Sequence, residues 1–428
     1  MPTLRRDLGL VETTAVAVSM MLGSGIFFGP ALTAREFPDA RIVLALWAVG
    51  GVVALVGGWT FGRLAARTGG AAGPYAYLRD AYGPLPAFLF AWTSFVVIAP
   101  TSTAVLASVF ASNLAVVSPL TARGLALVGV WSIAAFTFFN VIGVKAGGRV
   151  QAALSALKVA LVVGLASMLL FAPPAAPFGA PATIGTEAAG RWSLAFVGVL
   201  FSYGGFEYAV LATREVRDAE RTVPRALLLG TAIVVVLYLL AVASYLARLG
   251  APGMAAAVAL APEAARGVLP RAAEAVAIAV VVSAAGTINA IALLGPRATH
   301  AAAEDGAAPA WTGRVARRWG TPVAAILLQA ALSTAFLLSG VYDTLAAYTV
   351  VGVAVYIVPA VLVLPMLRRR EGAPRGAGWW EDAGALVVAG TYAWFLVFLF
   401  LEAPRTALVG CGLVAAGLVV YPLLRRRR

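Results

Sequence analysis

Residues 10–35 read LVETTAVAVSMMLGSGIFFGPALTAR, an apolar run with Gly23-Ser24-Gly25-Ile26-Phe27 at its middle. A helix of this length crosses about 30 Å of hydrocarbon. Two glycines a residue apart weaken it at its centre. A second run, 193–213, carries Ser202-Tyr203-Gly204-Gly205-Phe206-Glu207, again near its middle. Taken singly, each cluster also suits the close packing of two membrane helices through small residues.

Working outward, the rest of the chain has the same character. It has 428 residues, of which 61% are hydrophobic and 12% charged, and its mean hydropathy is +0.90. A soluble domain of this size needs far more polar surface. The apolar residues come in blocks of roughly twenty, the length of a membrane helix. Backbone groups in lipid must be satisfied internally, so these blocks are expected to be α-helical. Short alternating segments of the kind that build a membrane β-barrel do not occur. The first run is not expected to be a cleavable signal, because it continues past Leu10 without a short apolar core and cleavage site. One cysteine, Cys411, and one histidine, His300, leave no disulfide framework and no Cys/His metal site. No metal or other cofactor is called for.

About twelve spans are expected, at 10–35, 41–62, 84–113, 124–143, 150–171, 193–213, 226–247, 272–296, 321–340, 345–366, 380–401 and 406–424. The cations divide unevenly between the two sides. Arg5 and Arg6, Arg63, Arg67 and Arg79, Lys145 and Arg149, Arg214 to Arg225, Arg297 to Arg318, Arg368 to Arg375 and Arg425 to Arg428 fall on one face. Arg35, Arg41, Arg123, Arg191, Arg248, Arg266, Arg271 and Arg405 fall on the other. The positive-inside rule makes the first face cytoplasmic, with both termini, in an inner-membrane protein. The net charge of +13 then reflects topology and contact with an anionic lipid bilayer, with no nucleic acid as partner. No soluble domain fits between the spans. The loop 172–192 is expected to be external, and 68–83 a short interfacial helix with Tyr75, Tyr77 and Tyr82 at headgroup depth.

The two glycine clusters lie five spans apart. An odd number reverses the direction of entry, so 10–171 and 193–366 form two five-helix units of opposite orientation, with 380–424 outside them. Interrupted helices at matching places of inverted units point to a transporter site at mid-membrane. A break at Gly23 to Gly25 frees amides that attract a carboxylate, and the Ser24 hydroxyl can join them. Carbonyls at Met21, Phe201 and Gly204 can accept from an ammonium group. A zwitterionic amino acid carries both groups, and its side chain would extend toward Phe201, Tyr203 and the space left by Gly204 and Gly205.

The motifs now have a family likeness. GSGIF at 23–27, TGGAAGPYAYLRDAYG at 68–83, FSYGGFE at 201–207 with REVRDAERTVPRALL at 214–228, and DGAAPAW at 305–311 with GTP at 320–322 occur in this order. Together they resemble the amino acid–polyamine–organocation (APC) superfamily of amino acid permeases over nearly the whole chain. The resemblance implies an all-α membrane protein of the LeuT type, a 5+5 inverted repeat with broken helices 1 and 6, working by alternating access. It implies that Met21, Ser24, Gly25, Ile26, Phe201 and Gly204 bind substrate, Phe201 as an aromatic cover. It also implies that Lys158 replaces a sodium ion beside the first helix.

Lys158 lies inside the fifth span, where a charge costs roughly 2.5–3.5 kcal/mol on insertion and is usually functional. The alternative is snorkelling toward the interface. Glu207 follows the sixth-span break, either as a gate or proton-linked acid or as a structural acceptor for freed amides. Lys158, Glu207 and Tyr203 are the candidate coupling or gating residues. Glu12 is expected at the interface, Asp343 at a helix cap and His300 at a solvated end. Ser283, Thr287 and Asn289 offer hydroxyl and amide groups on the eighth span, but Lys158 would repel a sodium ion there. The expected activity is therefore Na⁺-independent amino acid transport, as proton-coupled symport or as exchange. Neutral amino acids are favoured, and the sequence names no accessory subunit. A membrane-embedded enzyme would need clustered acids, His or Cys, and a channel a repeated filter; neither is present.

Overall fold

The computed structural model describes residues 9–68, 73–142, 157–168, 192–210, 216–266, 268–304, 308–309, 311–316, 318, 320–340, 342–370 and 378–425. Among them the chain is helical, with one isolated bridge between Ala316 and Thr321 and no strand. Arg5, Arg6, Lys145, Arg149, Arg214, Arg317, Arg375 and Arg426, Arg427 and Arg428 lie outside the described residues, as does 172–191 of the expected external loop. So do the side chains of Ser24, His300 and Asp343.

The chain opens with α1 (Leu10–Met21), a 3-10 turn (Ser24–Phe27) and α2 (Gly29–Glu36). The helices α3 (Ala40–Arg67) and α4 (Pro74–Tyr82) follow. Then α5 (Pro84–Thr93) passes through a π turn, Ser94–Ile98, into α6 (Ala99–Val117). Pro100 has no amide to offer, and the ladder slips so that the Ala99 N–H donates to the Ser94 carbonyl. Next come α7 (Ala122–Ile142), α8 (Leu157–Met168), α9 (Trp192–Tyr203) and α10 (Phe206–Ala209). The remainder is α11 (Ala219–Ala256), α12 (Leu260–Ala265), α13 (Ala272–Glu304), α14 (Val323–Leu338), α15 (Tyr342–Arg370), α16 (Trp379–Glu402) and α17 (Pro404–Arg425).

Among the described residues, eight helices are long and apolar enough to cross a membrane: α3, the α5–α6 rod, α7, α11, α13, α15, α16 and α17. Two shorter apolar helices, α8 and α14, lie in the expected fifth and ninth spans. The expected first and sixth spans are each interrupted. Only 28% of the α7 window and 22% of the α17 window is buried, so these two helices turn apolar faces outward. Water would penalise such surface; lipid does not.

Packing rests on small residues. On α3, Gly50 and Gly57 meet α9 and α10, while Gly51, Gly58 and Gly62 meet α11. A methyl group at Gly50 would lie 2.1 Å from Val199, and one at Gly62 would lie 2.7 Å from the Pro224 backbone. Two stripes on one helix thus let α3 approach both neighbours.

The helix expected at 68–83 is present as α4, but its tyrosines face differently. Tyr75 and Tyr77 are buried in the bundle, and only Tyr82 is exposed. Glu12 is exposed at the start of α1, where it accepts from the Gly9 amide at 2.9 Å.

Finally, α16 carries a bonded carboxylate at each end. At its start, Glu381 is buried and receives Arg63 and Arg67 of α3, with Arg368 of α15 beside them. At its end, Glu402 accepts from the amides of Ser193 and Leu194 at 3.0 and 3.3 Å, and so caps the first turn of α9.

Candidate functional site

The first break begins where Leu22 leaves the helix, its amide still donating to the Val18 carbonyl at 2.7 Å. Gly23 is extended and its amide points to two acceptors, the Met21 carbonyl at 2.7 Å and the Tyr238 hydroxyl at 3.1 Å. The Tyr238 hydroxyl donates in turn to the Met21 carbonyl at 3.1 Å. One phenol on α11 therefore satisfies both sides of the break. The first amides of the 3-10 turn, at Ser24 and Gly25, precede any intrahelical acceptor, whereas that of Ile26 meets the Gly23 carbonyl three residues back.

The second break lies at Gly204-Gly205. The Gly204 amide still reaches the Leu200 carbonyl at 3.2 Å. Gly205 has φ +111, a left-handed conformation that glycine adopts freely. Its amide turns to Glu207 Oε2 at 2.9 Å, so the Phe201 carbonyl loses the partner that a continuous helix would supply.

The two breaks lie against each other. A methyl group at Gly205 would sit 2.6 Å from the Met20 carbonyl oxygen, and one at Gly25 would sit 2.8 Å from the Ser202 Cα. Beyond them α2 and α9 pack backbone to backbone. A methyl group at Gly198 would stand 2.3 Å from the Gly29 carbonyl oxygen. Thr33 Oγ1 donates to the Ala195 carbonyl at 3.0 Å, and the rings of Phe28 and Phe201 meet edge to face at 5.3 Å.

A cavity of about 410 Å³ adjoins both breaks. Met21, Gly23, Gly25, Phe201, Gly204 and Gly205 line it, together with Lys158 and Glu207. Lys158 is buried; its Nζ donates to Thr287 Oγ1 at 2.6 Å, and Thr287 donates to the Ser283 carbonyl at 3.1 Å. Glu207 is buried too. Its second oxygen, Oε1, accepts from the Tyr356 hydroxyl at 3.1 Å. Neither charge has an ion-pair partner among the described residues. No group of acids, His or Cys suited to a metal occurs among them either.

The remaining candidates lie elsewhere. Ile26 is fully buried and does not line the cavity. Tyr203 turns its ring toward Trp47 and Tyr238, at centroid distances of 5.6 and 5.3 Å, also away from the lining. The Met21 carbonyl accepts from both Gly23 N–H and Tyr238 O–H, so its two lone pairs are engaged. Asn289 faces α7 and accepts from Asn140 at 2.9 Å. Sequence reasoning missed Tyr238, Tyr75, Ser94, Ser102 and Thr349, the last four of which line the cavity. Pro100, six residues after Ser94, was the available sign of the π turn.

The chain matches the family described as amino acid permease over residues 8–416. It is 28% identical to the human (Homo sapiens) b(0,+)-type amino acid transporter 1 over 353 residues, which cover 81% of this chain and 72% of that protein. It is 26% identical to the human cystine/glutamate transporter over 351 residues, 80% of this chain and 70% of that protein. With the human Asc-type amino acid transporter 1 it shares 24% identity over 432 aligned positions, 98% of this chain and 82% of that protein. A cavity between two interrupted apolar helices, together with matches to transporters along most of the chain, leads to one assignment: the chain belongs to the amino acid permease family of the APC superfamily, whose members are membrane transporters and not enzymes.

Proposed function

We propose that the chain is a Na⁺-independent secondary transporter of neutral amino acids, working by alternating access as an exchanger or a proton-coupled symporter. The observation that carries this reading is the meeting of two helix breaks on one cavity that also holds Lys158 and Glu207. In this reading the substrate carboxylate lies at the amides of Ser24 and Gly25, with the Ser24 hydroxyl beside them. Its ammonium group lies at the Phe201 and Gly204 carbonyls, because Met21's carbonyl is already taken. Phe201 covers it. Lys158 occupies the place of a coupling cation, and Glu207 is the proton-linked or gating acid. Residues 10–171 and 193–366 are the inverted halves of a LeuT-type fold of twelve spans, and 380–424 supply two further helices. Both termini are cytoplasmic in the inner membrane. The close contact of α2 with α9, and the presence of Pro74 and Tyr75 in the cavity wall, support a conformation sealed on the outer side.

The test is uptake into proteoliposomes with a panel of amino acids, varying Na⁺, the pH gradient and internal substrate. Saturable uptake of neutral amino acids is expected, unchanged when K⁺ replaces Na⁺. Acceleration by internal substrate identifies exchange, and acceleration by an inward proton gradient identifies symport. Strict Na⁺ dependence removes the role given to Lys158, and non-saturating flux removes alternating access.

A further inference from the structure

Outside the lining of the cavity, three helix ends bring charges together. Arg63 and Arg67 project from the last turns of α3 and Arg368 from the last turn of α15. All three converge on Glu381, at 2.6, 3.0 and 3.6 Å, and Arg368 also holds Asp382 at 2.7 Å. Three guanidinium groups meet two carboxylates, so the cluster keeps an excess positive charge. Arg369 and Arg370 continue α15 on its exposed side and add two more. Gly378, at the α15–α16 junction, sits so close that a methyl group there would be 3.1 Å from Arg368 Nη2.

The same junction displays two tryptophans. Trp379 and Trp380 are 64% and 55% exposed at the first turn of α16. One to two turns further along α16, Leu386 and Val387 are also exposed, at 61% and 47%. Arg369 and Arg370 are exposed at the end of α15, and the exposed side chains of α16 run from indole to aliphatic. Tryptophan prefers the depth between headgroup and hydrocarbon. Guanidinium groups bind phosphate oxygens in the geometry they use for carboxylates. Glu381 anchors Arg63, Arg67 and Arg368 in advance, so little side-chain freedom remains to be lost.

We propose that the α3–α15–α16 junction is a binding site for an anionic phospholipid. Its phosphate lies on the basic cluster with Arg369 and Arg370, its glycerol region beside Trp379 and Trp380, and its acyl chains along Leu386 and Val387. The occupant is a lipid and not a soluble anion, because exposed indole and aliphatic side chains on α16 accompany the exposed arginines at the end of α15.

Native mass spectrometry of the full chain, titrated with phosphatidylglycerol or phosphatidylcholine, tests this. The wild type retains phosphatidylglycerol in preference. The variant Arg369→Ala/Arg370→Ala/Trp380→Ala leaves the Glu381 cluster intact and binds it roughly thirtyfold more weakly, from the worth of two surface arginines. Arg217→Ala/Arg221→Ala removes the same charge at the start of α11 and keeps the preference. Equal retention of both lipids by the wild type overturns the proposal without reference to any variant. An equal loss in the Arg217/Arg221 variant overturns it as a discrete site, and displacement of the lipid by an equal concentration of inorganic phosphate overturns it as a lipid site.

Discussion

Gly198→Ala is the most direct probe of the contact between α2 and α9. The added methyl group would begin 2.3 Å from the Gly29 carbonyl oxygen, against 3.4 Å for ordinary contact. The helices must part by about 1.1 Å locally, the difference between those distances. The obstructing atom is backbone, so no rotamer change relieves it. Overpacking of this kind costs about 1–3 kcal/mol. The strain exists only while α2 and α9 touch, so it biases the protein toward conformations in which they are apart, by roughly 5–150-fold. The assay uses Cys411→Ala with Phe28→Cys as reporter, labelled from the outside by a membrane-impermeant maleimide. Labelling accelerates in Gly198→Ala by at least fivefold. Gly390→Ala, where nothing lies within 4 Å, serves as control and leaves the rate unchanged. If a folded Gly198→Ala protein labels at the wild-type rate, contact between these helices is not what closes the outer side.

Four further outcomes are expected. Thr287→Val removes the partner of the Lys158 ammonium group; hydrogen bonds to charged groups are worth about 1.5–3 kcal/mol, so kcat/KM for uptake falls about tenfold or more. Tyr238→Phe leaves the ring but releases Gly23 and Met21, and raises KM by roughly five- to tenfold in the same assay, as about 1 kcal/mol of positioning is lost. Glu381→Gln leaves three guanidinium groups short of charge and lowers thermal stability in detergent by about 3 kcal/mol. Glu402→Gln weakens the cap on α9 by about 1 kcal/mol, measured by thermal unfolding, and leaves the wall of the cavity in place.

The places of the two breaks were legible in the sequence because Gly-Ser-Gly and Gly-Gly stand out inside apolar runs. Which neighbours face the cavity was not. A regular helix turns about 100° per residue and so assigns faces, but a break resets the phase. Ile26 and Tyr203, on the margins of the breaks, consequently point away from the lining. Apolar windows also underestimate helix length. The charged turn from Ala219 to Arg225 continues α11 well before the expected start at 226, with Asp218 as its N-cap residue. Tyr75 and Tyr77 have the composition of an interfacial belt, and only packing against the bundle decides that they are buried. Arg63 and Glu381 are separated by 318 positions, and no local pattern signals such a pair.

One consequence of α16 concerns how its neighbours can move. The same rod is tied to α3 near one surface of the membrane and to α9 near the other. Two helices fastened to opposite ends of a stiff member cannot slide independently along the membrane normal, because a shift of one turn, about 5.4 Å, would tear a carboxylate from its donors. Tilting leaves both fastenings whole. Cysteine cross-links from α16 to α3 and to α9 should therefore be tolerated together throughout turnover.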